Sequence, residues 1–322
     1  MWRLSDRKPF LIGLLSFLVV PVSSAVSPDQ KLISLVLPEA QIVAGVSAPP
    51  SQGQPDSFVV ITHKNIVDFS DFHALIGADS SRIVRQVIFV AAADNMGSLT
   101  EHSLLASGHF DQARIYQSAA DGGASVTLYR GIRVLTIQPF ARERSDFNDV
   151  RWLAVLDSDI LLFGTVASVQ RELDRHLNGS AADPSLLRKL ARMRRDDQTW
   201  CVVHAPARSA EIRDALAGLD PKLEELAQDG DTVQFGIRYA RHVEFEYAVT
   251  AASNTAASAI SNSFAQSLAE QARGSSLLRS PDPTGDDNTV RGVIKVSITR
   301  YKAWLAEVST RGQVPSTEIA RY

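Results

Sequence analysis

The sequence predicts an α+β fold of mainly antiparallel sheets, built from repeated ββα units with the helices packed on one face. Two observations carry this expectation. Segments of strand composition come in adjacent pairs joined by turn-rich stretches, and a segment of helical periodicity follows three of the later pairs and, less clearly, the opening one. The regular strand–helix–strand spacing that marks a parallel sheet does not occur.

Taken in order, residues 26–40 lead in and "QIVAGVSA" (41–48) reads as a strand. "PPSQGQPD" turns the chain into a second strand, "SFVVITH" (57–63), and "IVDFSDFHALIG" (66–77) reads as a short helix stopped by Gly77. The unit recurs as "VRQVIFVAA" (84–92) and "HSLLASGHF" (102–110), followed by the helical "DQARIYQSAAD" with Asp111 as its N-cap. "ASVTLYR" and "IRVLTIQP" are strands broken at Gly131. "RWLAVLD" and "DILLFGT" form a hairpin around Asp157–Ser158–Asp159, and "VASVQRELDRHL" is a helix ended near Asn178–Gly179. A further helix, "DPSLLRKLARMRR" (183–195), leads to the strand "TWCVVHAP". "TVQFGIRYA" and "VEFEYAVTA" pair as a hairpin in which Val243, Phe245, Tyr247 and Val249 alternate with Glu244, Glu246 and Ala248. The Ala- and Ser-rich helix 254–272 and the strand "GVIKVSITR" complete the pattern, with "RSPDPTGDDN" (279–288) as an exposed loop between them.

The N-terminus has the layout of a secretory signal: Arg3, Arg7 and Lys8, then the apolar "PFLIGLLSFLVVPV", then small residues at Ser23 and Ala25. The apolar run contains Pro21 and is shorter than the roughly 20 residues that span a bilayer, so cleavage near Ala25 is expected instead of anchoring. No later segment reads as a transmembrane helix. Signal cleavage implies a periplasmic or secreted location. The net charge of −3, from 33 basic and 36 acidic residues, argues against a nucleic-acid binder, which needs a basic footprint to displace counterions from phosphates. With one Cys, no intramolecular disulfide forms. Stability must come from packing, which a 45% hydrophobic composition allows.

The expected organisation is a signal peptide over 1–25, an N-terminal α+β domain over 26–205 and a C-terminal α+β domain over 206–322, divided near Pro206. The opening strand around "LPEAQIVAGV", the "GHFD" junction from strand to helix, and the closing hairpin, helix and strand together resemble uncharacterised exported bacterial proteins. That resemblance covers most of the chain after the signal. It implies a periplasmic or secreted location and brings no catalytic residues with it.

Tests for chemistry return mostly structural readings. The seven His residues include no HExxH pair and no two at i, i+4, so no metal site is expected. Cys201 and His204 sit at odd separation on a strand, hence on opposite faces, where they cannot exchange a proton. No GxSxG elbow and no Gly-rich phosphate loop is present, so neither catalytic residues nor a cofactor is assigned. The carboxylates at Asp157/Asp159, Asp196/Asp197 and Asp282/Asp286/Asp287 read as solvated turns. One feature suits a partner: the helix at 183–195 carries Arg188, Lys189, Arg192 and Arg195 against an apolar stripe of Leu186, Leu187, Leu190 and Met193. These four cations are the candidate binding residues.

The expectation is therefore a non-enzymatic envelope protein that recognises an unidentified protein or small ligand. The alternative is an envelope hydrolase with a site assembled from distant residues and His63, His109 or His204 as base. The signal reading makes a direct prediction. Intact-mass measurement of the exported protein should place its first residue at Val26, and a retained N-terminus would overturn it.

Overall fold

A computed structural model describes residues 28–47, 59–61, 66–68, 84–92, 101–138, 150–191, 197, 199–204, 230–239, 242–251, 253–259, 262 and 288–299. Its strands are β1 (Ile42–Ser47), β2 (Val59–Ile61), β3 (Ile66–Asp68), β4 (Val84–Ala92), β5 (Glu101–Gly108), β6 (Ser125–Tyr129), β7 (Ile132–Ile137), β8 (Arg151–Leu156), β9 (Ile160–Thr165), β10 (Thr199–His204), β11 (Gly230–Tyr239), β12 (His242–Ala251) and β13 (Thr289–Ser297). The helices with full bounds are α1 (Gln30–Leu35), α2 (Gln112–Asp121), α3 (Val166–Leu177) and α4 (Pro184–Ala191), and residues 254–259 are also helical.

Eleven strands form one antiparallel sheet in the order β13-β12-β11-β10-β1-β4-β5-β9-β8-β7-β6, and β2 and β3 form a separate pair. The mixed α+β class with antiparallel pairing is thus the observed one. Strands adjacent in sequence pair at β4–β5, β6–β7, β8–β9 and β11–β12, because short reversals favour the nearest partner. At Arg130 and Gly131 both φ values are positive, 50° and 88°, the mirror-image turn whose twist matches its flanking strands. Asp157 and Ser158 repeat that geometry at φ 50° and 57°. The ladder passes without interruption from β10 to β11, so the boundary near Pro206 falls between two hydrogen-bonded neighbours.

Both faces of the sheet centre are apolar. On one face Ala44, Phe89, Leu104, Leu153, Leu161 and Phe163 pack with Ile115 and Ala119 of α2, and Ala256 and Ala257 lie against them. On the other, Val43, Ile88, Leu105, Ala154 and Leu162 pack with Leu32 and Ile33 of α1, Val169 and Leu173 of α3, and Leu186 of α4. The expectation of helices on one face is corrected accordingly. β1 and β9 are buried at every residue, so each face needs its own cover.

The caps follow the sequence. Asp111 accepts from the Arg114 N–H at 3.1 Å and starts α2, as expected. Asp29 does the same for α1 through the Lys31 N–H. Arg175 of α3 donates to the Ser34 carbonyl at 2.8 and 3.0 Å and to that of Ala181 at 2.6 Å, tying α1 to the loop before α4. The helix expected at 66–77 opens instead as a strand, since Ile66–Asp68 is β3, and its remainder lies outside the described residues. The signal segment, the loop at 279–288 up to Asp287, and most of the helix at 254–272 also lie outside them. Among the described residues no helix is long and apolar enough to cross a membrane.

Strand glycines serve close approach here. Neither Gly108 nor Gly164 lies in the left-handed region, where φ is positive at Gly123, Gly131 and Gly179. Gly164 opposes Ser103 in the β5–β9 ladder, and a Cβ there would run into the His102 carbonyl and the Ser103 backbone. Gly164→Val should therefore destabilise the fold by about 1–3 kcal/mol through overpacking. The denaturation midpoint checks this, with an unchanged slope confirming the same transition. A variant melting like its parent would contradict the packing argument.

Candidate functional site

The β10–β13 half of the sheet is two-faced in a way the rest is not. Val233 and Val249 join the core on one side. The opposite side carries rows set by the register in which polar residues are interspersed with apolar ones: His204–Thr232–Thr250–Thr289, Val202–Gln234–Ala248–Arg291, Trp200–Gly236–Glu246–Val293 and Arg238–Glu244–Lys295. Thr232, Gln234, Glu244 and Thr289 are nevertheless buried. Buried polar side chains must find partners, and the last row does so as an ion triad. Glu244 pairs with Arg238 on one neighbouring strand and with Lys295 on the other, at 2.7 Å to the latter. The hydrogen bond from Lys295, together with that from Arg238, outweighs burial and holds the Glu244 carboxyl down at about 2.

Glycines shape the same face. The Trp200 indole occupies the space a Cβ at Gly45 would fill, and the Asp197 carboxylate does the same over Gly236. Glycine at both neighbours of Trp200 therefore lets a large ring and a carboxylate lie flat on the backbone.

The candidate site stands at one corner of this face, where α4 meets the end of β10. Asp183 accepts from the N–H groups of Ser185 and Leu186, both at 3.1 Å, and so caps α4. Leu186 anchors the helix in the core, which leaves Arg188 exposed and Lys189 half-buried. Lys189 Nζ lies 2.9 Å from His204 Nδ1. An ammonium only donates, so Nδ1 accepts and the ring proton sits on Nε2. Burial lowers the His204 pKa to about 4, with the Lys189 charge acting in the same direction and Asp183 and Asp231 opposing it. At neutral pH the corner thus offers cationic and neutral donors, and no basic imidazole nitrogen.

Of the four cations expected to bind a partner, Arg188 and Lys189 are on α4, while Arg192 and Arg195 lie outside the described residues. His109 is exposed and His63 lies outside the described residues. Cys201 and His204 alternate across β10: Cys201 and Val203 belong to one core cluster, Trp200 and Val202 to the other. Burial pushes the Cys201 thiol up to about 12, which removes it as a nucleophile near neutral pH. Asp157 and Asp159 end in a tight turn, where Asp159 pairs with Lys31 at 2.6 Å and Asp157 faces His176 at 3.9 Å. Among the described residues no group of three or more His, Cys, Asp or Glu could hold a metal.

Sequence reasoning missed the buried polar face. Its signal was the alternation of Glu244 and Glu246 with Val243 and Tyr247, which looks the same whether the polar side meets water or protein. It also missed Glu172, a fully buried carboxyl in α3 that accepts from Ser103 Oγ. The chain matches no family model, and no curated protein or solved structure shows significant similarity to it.

Glu172 is sealed in the core, so its effect is on stability. Burial raises its pKa from 4.5 to about 8, with the Ser103 hydrogen bond and the Arg171 charge opposing. The folded protein therefore holds a proton that the unfolded chain releases above its ordinary carboxyl pKa. That contribution is complete below pH 4.5 and is lost as pH rises through about 8, with a slope of at most about 1.4 kcal/mol per pH unit. Denaturation midpoints of parent and Glu172→Gln from pH 5 to pH 9 test this. The variant should gain on its parent as pH rises, and parallel curves would contradict a neutral buried carboxyl.

Proposed function

We propose that the chain is an exported envelope protein that works by binding, with the α4 face and the end of β10 receiving an acidic partner. One observation carries this reading: where α4 meets the end of β10, Lys189 Nζ lies 2.9 Å from His204 Nδ1 beside the exposed Arg188, and burial together with the Lys189 charge holds His204 down at about 4. General acid–base catalysis works best with a group near the operating pH, whereas recognition of charge needs groups with a fixed state. Arg188, Lys189 and the His204 Nε2–H supply donors of that kind, and Arg192 and Arg195 extend the same run of cations in sequence. The export signal supports the envelope location.

Two organisational proposals belong with this reading. The successions β4–β5–α2, β8–β9–α3 and β11–β12 followed by helical 254–259 are proposed as one repeated ββα unit. The segment beyond Pro206 is proposed as a second folding unit added to the first through β10.

Binding is tested by titrating the protein with a poly-glutamate peptide at about 50 mM salt, where exposed charges are weakly screened. Binding should be measurable and should weaken about tenfold or more in Arg188→Glu/Lys189→Glu, with an equally clear loss on adding salt. Absence of peptide binding, together with a hydrolytic activity abolished by His204→Ala, would favour the envelope hydrolase instead.

A further inference from the structure

Among the described residues β6 is the terminal strand at its end of the sheet, paired only with β7, and Ser125 to Leu128 are all exposed. Val126 and Leu128, 52% and 72% exposed, point to the same side because they are two residues apart. The strand contains no charge and no proline, and its register with β7 runs without a bulge, so it lacks the devices by which edges are ordinarily kept from pairing. The other terminal strand, β13, carries Arg291 and Lys295.

The turn fixes which backbone groups are open. Arg130 and Gly131 form a two-residue mirror-image turn, so its flanking pair, Tyr129 and Ile132, is a hydrogen-bonded pair. Alternation then directs the amides and carbonyls of Thr127 and Ser125 towards Val134 and Thr136 of β7. The N–H and C=O groups of Val126 and Leu128 consequently face outwards.

We infer that β6 is a self-association edge, pairing antiparallel with β6 of a second copy about a two-fold axis at Thr127. That register places Val126 opposite Leu128 of the other copy and Leu128 opposite its Val126. It uses all the outward backbone groups at once, and it sets apolar side chains against apolar ones. No like charges are opposed within the strand, and the isologous contact closes at two copies. A parallel arrangement cannot be two-fold in this way. A five-residue strand is about 17 Å long. Such a contact falls below the roughly 800 Å² per partner of a stable interface, so association is reversible and concentration-dependent.

Sedimentation velocity of the full chain from about 1 to 300 μM is the test, the upper end being set by the small contact. A monomer–dimer equilibrium is expected that stops at two copies. Val126→Lys/Leu128→Lys should remain monomeric throughout, while Leu177→Lys, which changes an exposed residue of α3, should dimerise like the parent. Should the double variant fold poorly, Thr127→Cys reports independently. The axis makes Thr127 face its own copy as a non-hydrogen-bonded pair with Cα atoms about 4.5 Å apart, within disulfide reach. Mild oxidation should convert that variant to a covalent dimer, while the native Cys201 stays buried. A parent monomeric at every concentration, growth beyond two copies, or dimerisation unaffected by the lysines would each overturn the inference.

Discussion

The structure depends on β1. This strand pairs antiparallel with β10 on one side and with β4 on the other, and it joins the strands from β4 to β6 with those from β10 to β13. All six of its residues are buried. Removing its side chains from water contributes to both core clusters at once, since Ala44 and Val46 face one and Val43 the other. Gly45 completes its role by giving the Trp200 ring a flat surface. α1, just before it, fills the second face with Leu32 and Ile33 and is fastened through Arg175 to α3. The N-terminal 20 residues of the described chain therefore set the middle of the fold, although they come first in sequence.

Local structure was legible in the sequence, and long-range order was not. Asp111 announced α2, Gly131 the β6–β7 turn, and Asp157–Ser158–Asp159 the next hairpin, because each is a short-range conformational preference. The insertion of β1 between β10 and β4 leaves no such mark: the pairing of Val43 with Val202 and with Val90 follows from the packing of the whole chain. The two-sided burial was concealed for a related reason. The first four residues of "ILLFGT" are all apolar, which signals a strand without saying what covers it. At the candidate site, sequence reasoning found Arg188 and Lys189 by charge on a helix. It did not find that Lys189 meets His204, because that contact depends on how α4 docks against the sheet.

The charged groups follow a consistent division. Exposed pairs, such as Arg130 of the β6–β7 turn with Asp174 of α3 at 2.6 Å, contribute little to stability. The charged groups on the β10–β13 face are fixed by neighbouring strands, where Glu244 sits between two cations. Glu172 is the exception, a carboxyl carried in the core with a serine as its partner. Its Oε2 has no hydrogen-bond partner among the described residues, so neutralisation by a bound proton takes the place of an ion pair.

The position of β1 also orders events while the chain is being made. Ribosomes deliver residues N-terminus first, at about 5–20 per second, so β1 emerges early and β4 soon after, but β10 follows only on the order of ten seconds later. For that interval the side of β1 that will pair with β10 has no partner, in a strand whose side chains are apolar or small. Contacts so distant in sequence also slow folding itself, because the loop must close before they form. A nascent chain of this kind gains from anything that delays collapse until residue 204 is free. A holding chaperone, or passage across a membrane before folding, would each serve that end.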